Sequence, residues 1–93
     1  MRNRNNINER KFYSAILSLR CHQECKAFFN DILTPNECNM LIQRIEISEL
    51  LLRGLTYKEI SNITRAITAT ISRVNKSLHY GTGGLLSVLE KNT

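Results

Sequence analysis

The chain has no tryptophan, one proline, four glycines and three cysteines in 93 residues. So little proline and glycine leaves few enforced breaks, which favours long helices over a strand-and-turn protein whose turns would draw on those residues. Cys21, Cys25 and Cys38 are an odd number, so a disulfide framework is not expected. Cys21 and Cys25 stand one helical turn apart beside His22, yet two thiols without a second converging pair do not make a zinc site, and no metal or other cofactor is expected. The two histidines, His22 and His79, lack a converging nucleophile or acid pair, so an enzyme is not expected either. No apolar run approaches the roughly 18 residues of a membrane span, and the start does not read as a secretory signal. A cytoplasmic protein is the expectation.

What is present is positive charge, unevenly placed. The formal net charge is +5. Residues 1–11 carry four cations against one acid, and residues 53–80 carry five against one, whereas residues 12–52 hold three cations and five acids. Segregation of this kind suits a protein that meets a polyanion with one end and one arm. At this length the chain is one domain with a core marginal for a lone subunit, and small helical proteins often complete such a core by dimerising.

Residues 1–8, MRNRNNIN, are basic, Asn-rich and aperiodic, and are expected as a flexible arm preceding a single helical domain over 9–93. From Glu9 the pattern becomes helical to about Arg20, with Phe12, Ile16 and Leu19 in one stripe; a second amphipathic segment covers about His22 to Leu33. Thr34-Pro35-Asn36-Glu37 is a strong helix start: a capping threonine, proline where its missing N–H costs nothing, and a glutamate that completes a capping box. That helix is predicted to reach about Arg53 and to end at Gly54. It has two apolar lines, Cys38, Leu41, Ile45, Ser48 and Leu52 on one side and Met40, Ile47, Leu50 and Leu51 on another. One line suits the home subunit and the other a second copy.

The stretch 56–78, TYKEISNITRAITATISRVNKSL, reads as a helix-turn-helix. Thr56 and Glu59 form a second capping box for a helix over about Tyr57 to Asn62. A further start is predicted at Thr68, with its hydroxyl as the cap. Ile67, Ile71, Val74 and Leu78 recur at helical period as the core stripe. The opposite face carries small, hydroxyl and cationic residues: Thr68, Ala69, Thr70, Ser72, Arg73 and Lys76. Small residues let a helix N-terminus approach a duplex, and Arg and Lys one turn on reach phosphate or a guanine edge. Lys58 and Arg65 are the flanking candidates for phosphate. The run 79–84, HYGTGG, follows Leu78 and reads as a turn that ends the helix begun at Thr68; it lacks the strand and the Lys-Ser/Thr of a phosphate loop, and Leu85, Leu86, Val88 and Leu89 after it suit a short closing helix.

With these residues in view the chain resembles the Trp-repressor superfamily, in particular its YerC/YecD-type members. The resemblance covers roughly residues 28–84 and rests on FFNDILTPNE at 28–37, LLLRGLTYKEIS at 50–61 and ATISRVNKSLHYGTGG at 69–84. LuxR-type DNA-binding modules share part of the outline, but the run 69–73, ATISR, fits the Trp-repressor group better. The resemblance implies an all-α, intertwined homodimer that reads a pseudo-palindromic operator in double-stranded DNA through successive major grooves, as a bacterial transcriptional regulator. The corepressor-holding positions of that family match Arg44, Thr70 and Arg73 here. Val74 stands where the Trp repressor has glycine, and its side chain would occupy the space of the indole ring. Tryptophan is therefore not expected as a ligand, and Arg44 is expected in an ion pair with a neighbouring acid. Arg65 falls where relatives often have glycine and a positive φ is usual. The competing function is a helical protein-interaction module that binds another regulator or RNA polymerase without specific DNA contact.

Overall fold

A computed structural model describes residues 2–92, with side chains from Asn5 onward. Six helices follow one another: α1 (Arg2–Leu17), α2 (His22–Ile32), α3 (Pro35–Leu52), α4 (Tyr57–Thr64), α5 (Thr68–Tyr80) and α6 (Gly84–Lys91). The all-α class expected from the sequence is what is found. The chain resolves into two compact units, residues 1–38 and residues 39–93, where the sequence suggested one domain over 9–93.

In the first unit, α1 starts earlier and stops earlier than periodicity indicated. Residues 2–8, expected as an arm outside regular structure, belong to the helix. Once residues 9–17 supply a helical nucleus, each further residue adds a backbone bond without a new nucleation cost, so a weak helix former can be carried along. The stop at Leu17 has a local cause. The Ser18 hydroxyl donates to the Ala15 carbonyl at 2.6 Å, and Leu19 N–H turns tightly back to the Ile16 carbonyl at 3.1 Å. Helices α1 and α2 are thus separate, and α2 opens without a capping box: Glu24 accepts from the N–H of Arg20, the residue before the N-cap, at 2.8 Å, while Cys21 makes no side-chain cap. Phe28 and Phe29 meet edge to face with centroids 5.1 Å apart. No described side chain from Asn5 to Cys38 is buried.

Helix α3 begins as its sequence dictates. Glu37 N–H donates to the Thr34 hydroxyl at 3.2 Å and Thr34 N–H to the Glu37 carboxylate at 2.8 Å. It ends in a Schellman motif, in which Leu55 N–H reaches the Leu50 carbonyl at 3.2 Å and Gly54 N–H the Leu51 carbonyl at 3.0 Å. Gly54 takes φ +88° there, a conformation costly for any residue with a Cβ.

The two apolar lines of α3 divide along the helix more than around it. Ile47, Ser48 and Leu50 are buried, whereas Met40, Leu41, Ile42 and Ile45 are all exposed. The buried Ser48 satisfies its hydroxyl on the Arg44 carbonyl at 2.7 Å. Ile47 and Leu50 join Ile60, Ala66, Ile71 and Val74 as the core of the second unit, with Leu51, Leu55 and Tyr57 packed on its edge. Leu78 and Leu89 are also buried. Helix α5 ends at Tyr80, and at Gly81 a Cβ would stand only 2.4 Å from the Ser77 carbonyl oxygen. Among the described residues no helix is long and apolar enough to cross a membrane.

Candidate nucleic-acid interface

Helices α4 and α5, joined by residues 65–67, lie in the stretch expected as a helix-turn-helix over 56–78. Thr56 caps α4 in a complete capping box, with Glu59 N–H on the Thr56 hydroxyl at 3.2 Å and Thr56 N–H on the Glu59 carboxylate at 2.9 Å. Hydrogen bonding from the Thr56 backbone N–H, with the Thr56 side chain beside the carboxylate as the second cause, lowers the Glu59 pKa below the ordinary glutamate value. Glu37 is lowered in the same way by Thr34.

The turn itself is held by side chains that the sequence reading left out. Arg65 adopts φ 64° and ψ 13°, the left-handed conformation, so the positive φ anticipated at this position is taken by an arginine. Arg65 N–H closes α4 on the Ser61 carbonyl at 2.8 Å. The Ser61 hydroxyl then crosses the turn to the Ala66 carbonyl at 2.8 Å. The Thr64 hydroxyl donates to the Ile60 carbonyl at 2.8 Å and accepts from Ala66 N–H at 3.2 Å. From α3, Gln43 Nε2 donates to the Thr64 carbonyl at 3.2 Å and ties the turn to the longest helix. Ala66 fills the space beneath and is only 4% exposed.

Helix α5 starts at Thr68, but its cap is not the threonine. Ile67 occupies the N-cap with extended backbone and no side-chain hydrogen bond to the helix start. The core stripe is accordingly shorter than expected. Ile71, Val74 and Leu78 are buried, whereas Ile67 is 68% exposed, because it precedes the first helical turn and helical period does not extend to it.

The face opposite that stripe is open. Thr68, Ala69, Ser72, Arg73 and Lys76 are exposed, Thr70 is half-buried, and Lys58 and Arg65 are exposed on α4 and its cap. Among the described residues none of these four cations has an acidic partner. Ala69, Ser72, Arg73 and Lys76 line one shallow open depression together with Asn75 and Tyr80. Thr68, Thr70, Lys58 and Arg65 lie outside it. Asn75 and Tyr80 were missed in the sequence, although Tyr80 repeats Ala69, Arg73 and Lys76 at i+11, i+7 and i+4. Arg44, the other position matched to corepressor binding, is exposed and has no ion pair with a described residue, in contrast to the partner expected for it. Among the described residues no group of three metal-ligating side chains comes together.

A capped first helix, a stapled turn and a second helix that buries one stripe place this chain among all-α proteins with a helix pair in this region. The chain belongs to the Trp repressor family: the model of the family described as Trp repressor protein matches residues 8–93. It is 42% identical over 81 residues to the uncharacterized protein YerC of Bacillus subtilis (strain 168), covering 87% of this chain and 78% of that protein. The fold is similar to the crystal structure of a TrpR-like protein from Eubacterium eligens ATCC 27750, with a TM-score of 0.86 and 44% identity over 89% of this chain and 86% of that one. A Staphylococcus aureus crystal structure described as that of a candidate Trp repressor superposes with a TM-score of 0.89 at 36% identity, over 92% of this chain and 86% of the other.

Proposed function

We propose that this protein is a homodimeric, sequence-specific DNA-binding transcriptional regulator that acts in the cytoplasm as a repressor. The observation that carries the reading is the division of α5. Ile71, Val74 and Leu78 are buried, and Ala69, Ser72, Arg73 and Lys76 are open on the other side with no acid among the described residues to neutralise the cations. Thr68, Ala69, Thr70 and Ser72 at the start of α5 approach the base edges. Arg73 reaches a guanine edge or phosphate, and Lys58, Arg65 and Lys76 neutralise phosphates along the groove.

The dimer is supported by what one copy leaves uncovered. No described side chain up to Cys38 is buried, and Phe12, Tyr13, Leu17 and Ile32 are exposed, as are Met40, Leu41, Ile42 and Ile45 on α3. Apolar surface on this scale marks an interface with another molecule. A second copy supplies one with matching chemistry, and two reading helices related by a two-fold axis then suit a palindromic site.

Tryptophan is not the effector in this reading. Val74 is packed in the core with Ile71, Ile60 and Ile47 and has no freedom to vacate the position that glycine leaves open in the Trp repressor. Arg44, Thr70 and Arg73 are then left for structure or for DNA. Selection of bound duplexes from a random pool tests the proposal: a salt-sensitive palindrome with half-sites about one helical turn apart supports it. Absence of salt-sensitive DNA binding would refute it, and would favour a protein-interaction module.

A further inference from the structure

We propose that Tyr80 is a phosphate-contacting residue, which extends the DNA footprint from the start of α5 to its last residue; the inference rests on the DNA-binding reading above. Tyr80 is 84% exposed. Among the described residues its hydroxyl has no hydrogen-bond partner and its ring no ring contact. A tyrosine left so open in the fold has an apolar body and a polar tip available for an external surface.

Its position selects that surface. Ala69, Arg73, Lys76 and Tyr80 are spaced four, three and four residues apart, which places them on one ridge of a helix, and all four line the same depression. Two of the four are cations without acidic partners, so the ridge attracts an anion along its length. Distance along the helix then decides which part of the duplex Tyr80 meets. Eleven residues at the α-helical rise put it about 16 Å behind Ala69. The major groove is about 8.5 Å deep. With Ala69 at the base edges and the helix entering at a slant, Tyr80 has left the groove floor behind, and its ring, tilted back toward the helix N-terminus, reaches toward the sugar-phosphate backbone. A phenolic O–H donates well to a phosphate oxygen, and such a contact carries no base information.

The test compares the full-length protein with Tyr80→Phe and Lys76→Ala on two duplexes, one selected by binding and one unrelated of equal length, across a salt series. Tyr80→Phe is expected to weaken binding to both duplexes alike, about 3- to 10-fold for one lost hydrogen bond. Its salt dependence should match wild type, because a neutral hydroxyl releases no counterion, whereas Lys76→Ala should flatten the slope by about 0.9. The melting curve of Tyr80→Phe should coincide with that of wild type. Unchanged binding by Tyr80→Phe overturns the inference while leaving the DNA-binding reading intact. A loss confined to the selected duplex overturns it in favour of a base contact, and a lowered melting temperature overturns it in favour of a role in the fold. Wild-type protein that binds neither duplex in a salt-sensitive way overturns the inference and the reading together.

Discussion

The Ser61 hydroxyl donates to the Ala66 carbonyl at 2.8 Å, so the last turn of α4 is bonded across the connection to the residue that leads into α5. The bond runs from a side chain to the backbone and fixes the path of the turn without depending on which residue stands at 66. Ser61→Ala leaves that carbonyl unsatisfied on a half-buried surface and should cost about 1 kcal/mol in urea denaturation. Gln43→Ala, which frees the Thr64 carbonyl, should cost a similar amount. If both variants unfold at the wild-type midpoint, the turn is held by the Thr64 bonds and by packing on Ala66.

Arg65 is expected to respond in opposite directions to two measurements. At φ 64° a residue with a Cβ is strained, and glycine is not. Arg65→Gly should therefore raise stability by up to about 1 kcal/mol and raise the midpoint of unfolding. The same substitution removes an unpaired cation beside the reading helix and should flatten the salt dependence of DNA binding by about 0.9.

Arg73 and Lys58 separate specificity from general affinity. Arg73→Ala should cost about 1 to 3 kcal/mol on the selected duplex and relax preference at one position if the guanidinium pairs with a guanine edge. Lys58→Ala should weaken every duplex evenly. Competition binding with single-base variants of the selected site distinguishes the two patterns.

Val74→Gly tests the packing and the ligand argument together. The valine is 4% exposed in the core cluster. Removing its side chain and placing glycine within α5 should cost about 2 to 4 kcal/mol in thermal or urea unfolding. Wild-type protein titrated with tryptophan in a calorimeter should show no micromolar binding, and a clear isotherm would reverse the assignment of Val74 as the occupant of that space.

The two capping boxes make stability sensitive to acid. Glu37 and Glu59 have folded-state pKa values below their unfolded values, because each carboxylate accepts from a backbone N–H that must be satisfied at a helix start. Their contribution is fully present above the ordinary glutamate pKa of about 4.3 and is lost as the pH falls from there through the lower folded values. In Glu59→Gln the amide oxygen can still accept from Thr56 N–H at any pH. A denaturation series from pH 6 downward should show a shallower decline for this variant than for wild type.

How much of this was legible in the sequence depended on how local each device is. Thr34 with Glu37, Thr56 with Glu59, and Gly54 each need four to six consecutive residues to close their hydrogen bonds, and each is where the sequence placed it. Val74 and Leu78 could be assigned to the core because they lie well inside a regular helix. Ile67 could not, since the helical period was carried one residue past the start of the helix it describes. The Ser61, Thr64 and Gln43 bonds were invisible for a different reason. The bonds from Ser61 to Ala66, from Ala66 to Thr64 and from Gln43 to Thr64 exist only once the chain has turned back, and nothing in the spacing of a serine, a threonine and a glutamine announces a shared turn. Tyr80 was passed over because the glycines after it placed His79 and Tyr80 in the turn, whereas α5 continues through both and ends at Tyr80.

Gly81 imposes a limit at the far end of α5. With the Ser77 carbonyl 2.4 Å from where a Cβ would stand, and that carbonyl already accepting Gly81 N–H at 3.0 Å, no other residue fits without unwinding the last turn. The position should tolerate no replacement in a saturation library scored for folded protein. Gly81 thus acts as a stop for α5: a side chain there would crowd the carbonyl that closes the last turn, so what α5 displays at Tyr80 is held at a fixed place.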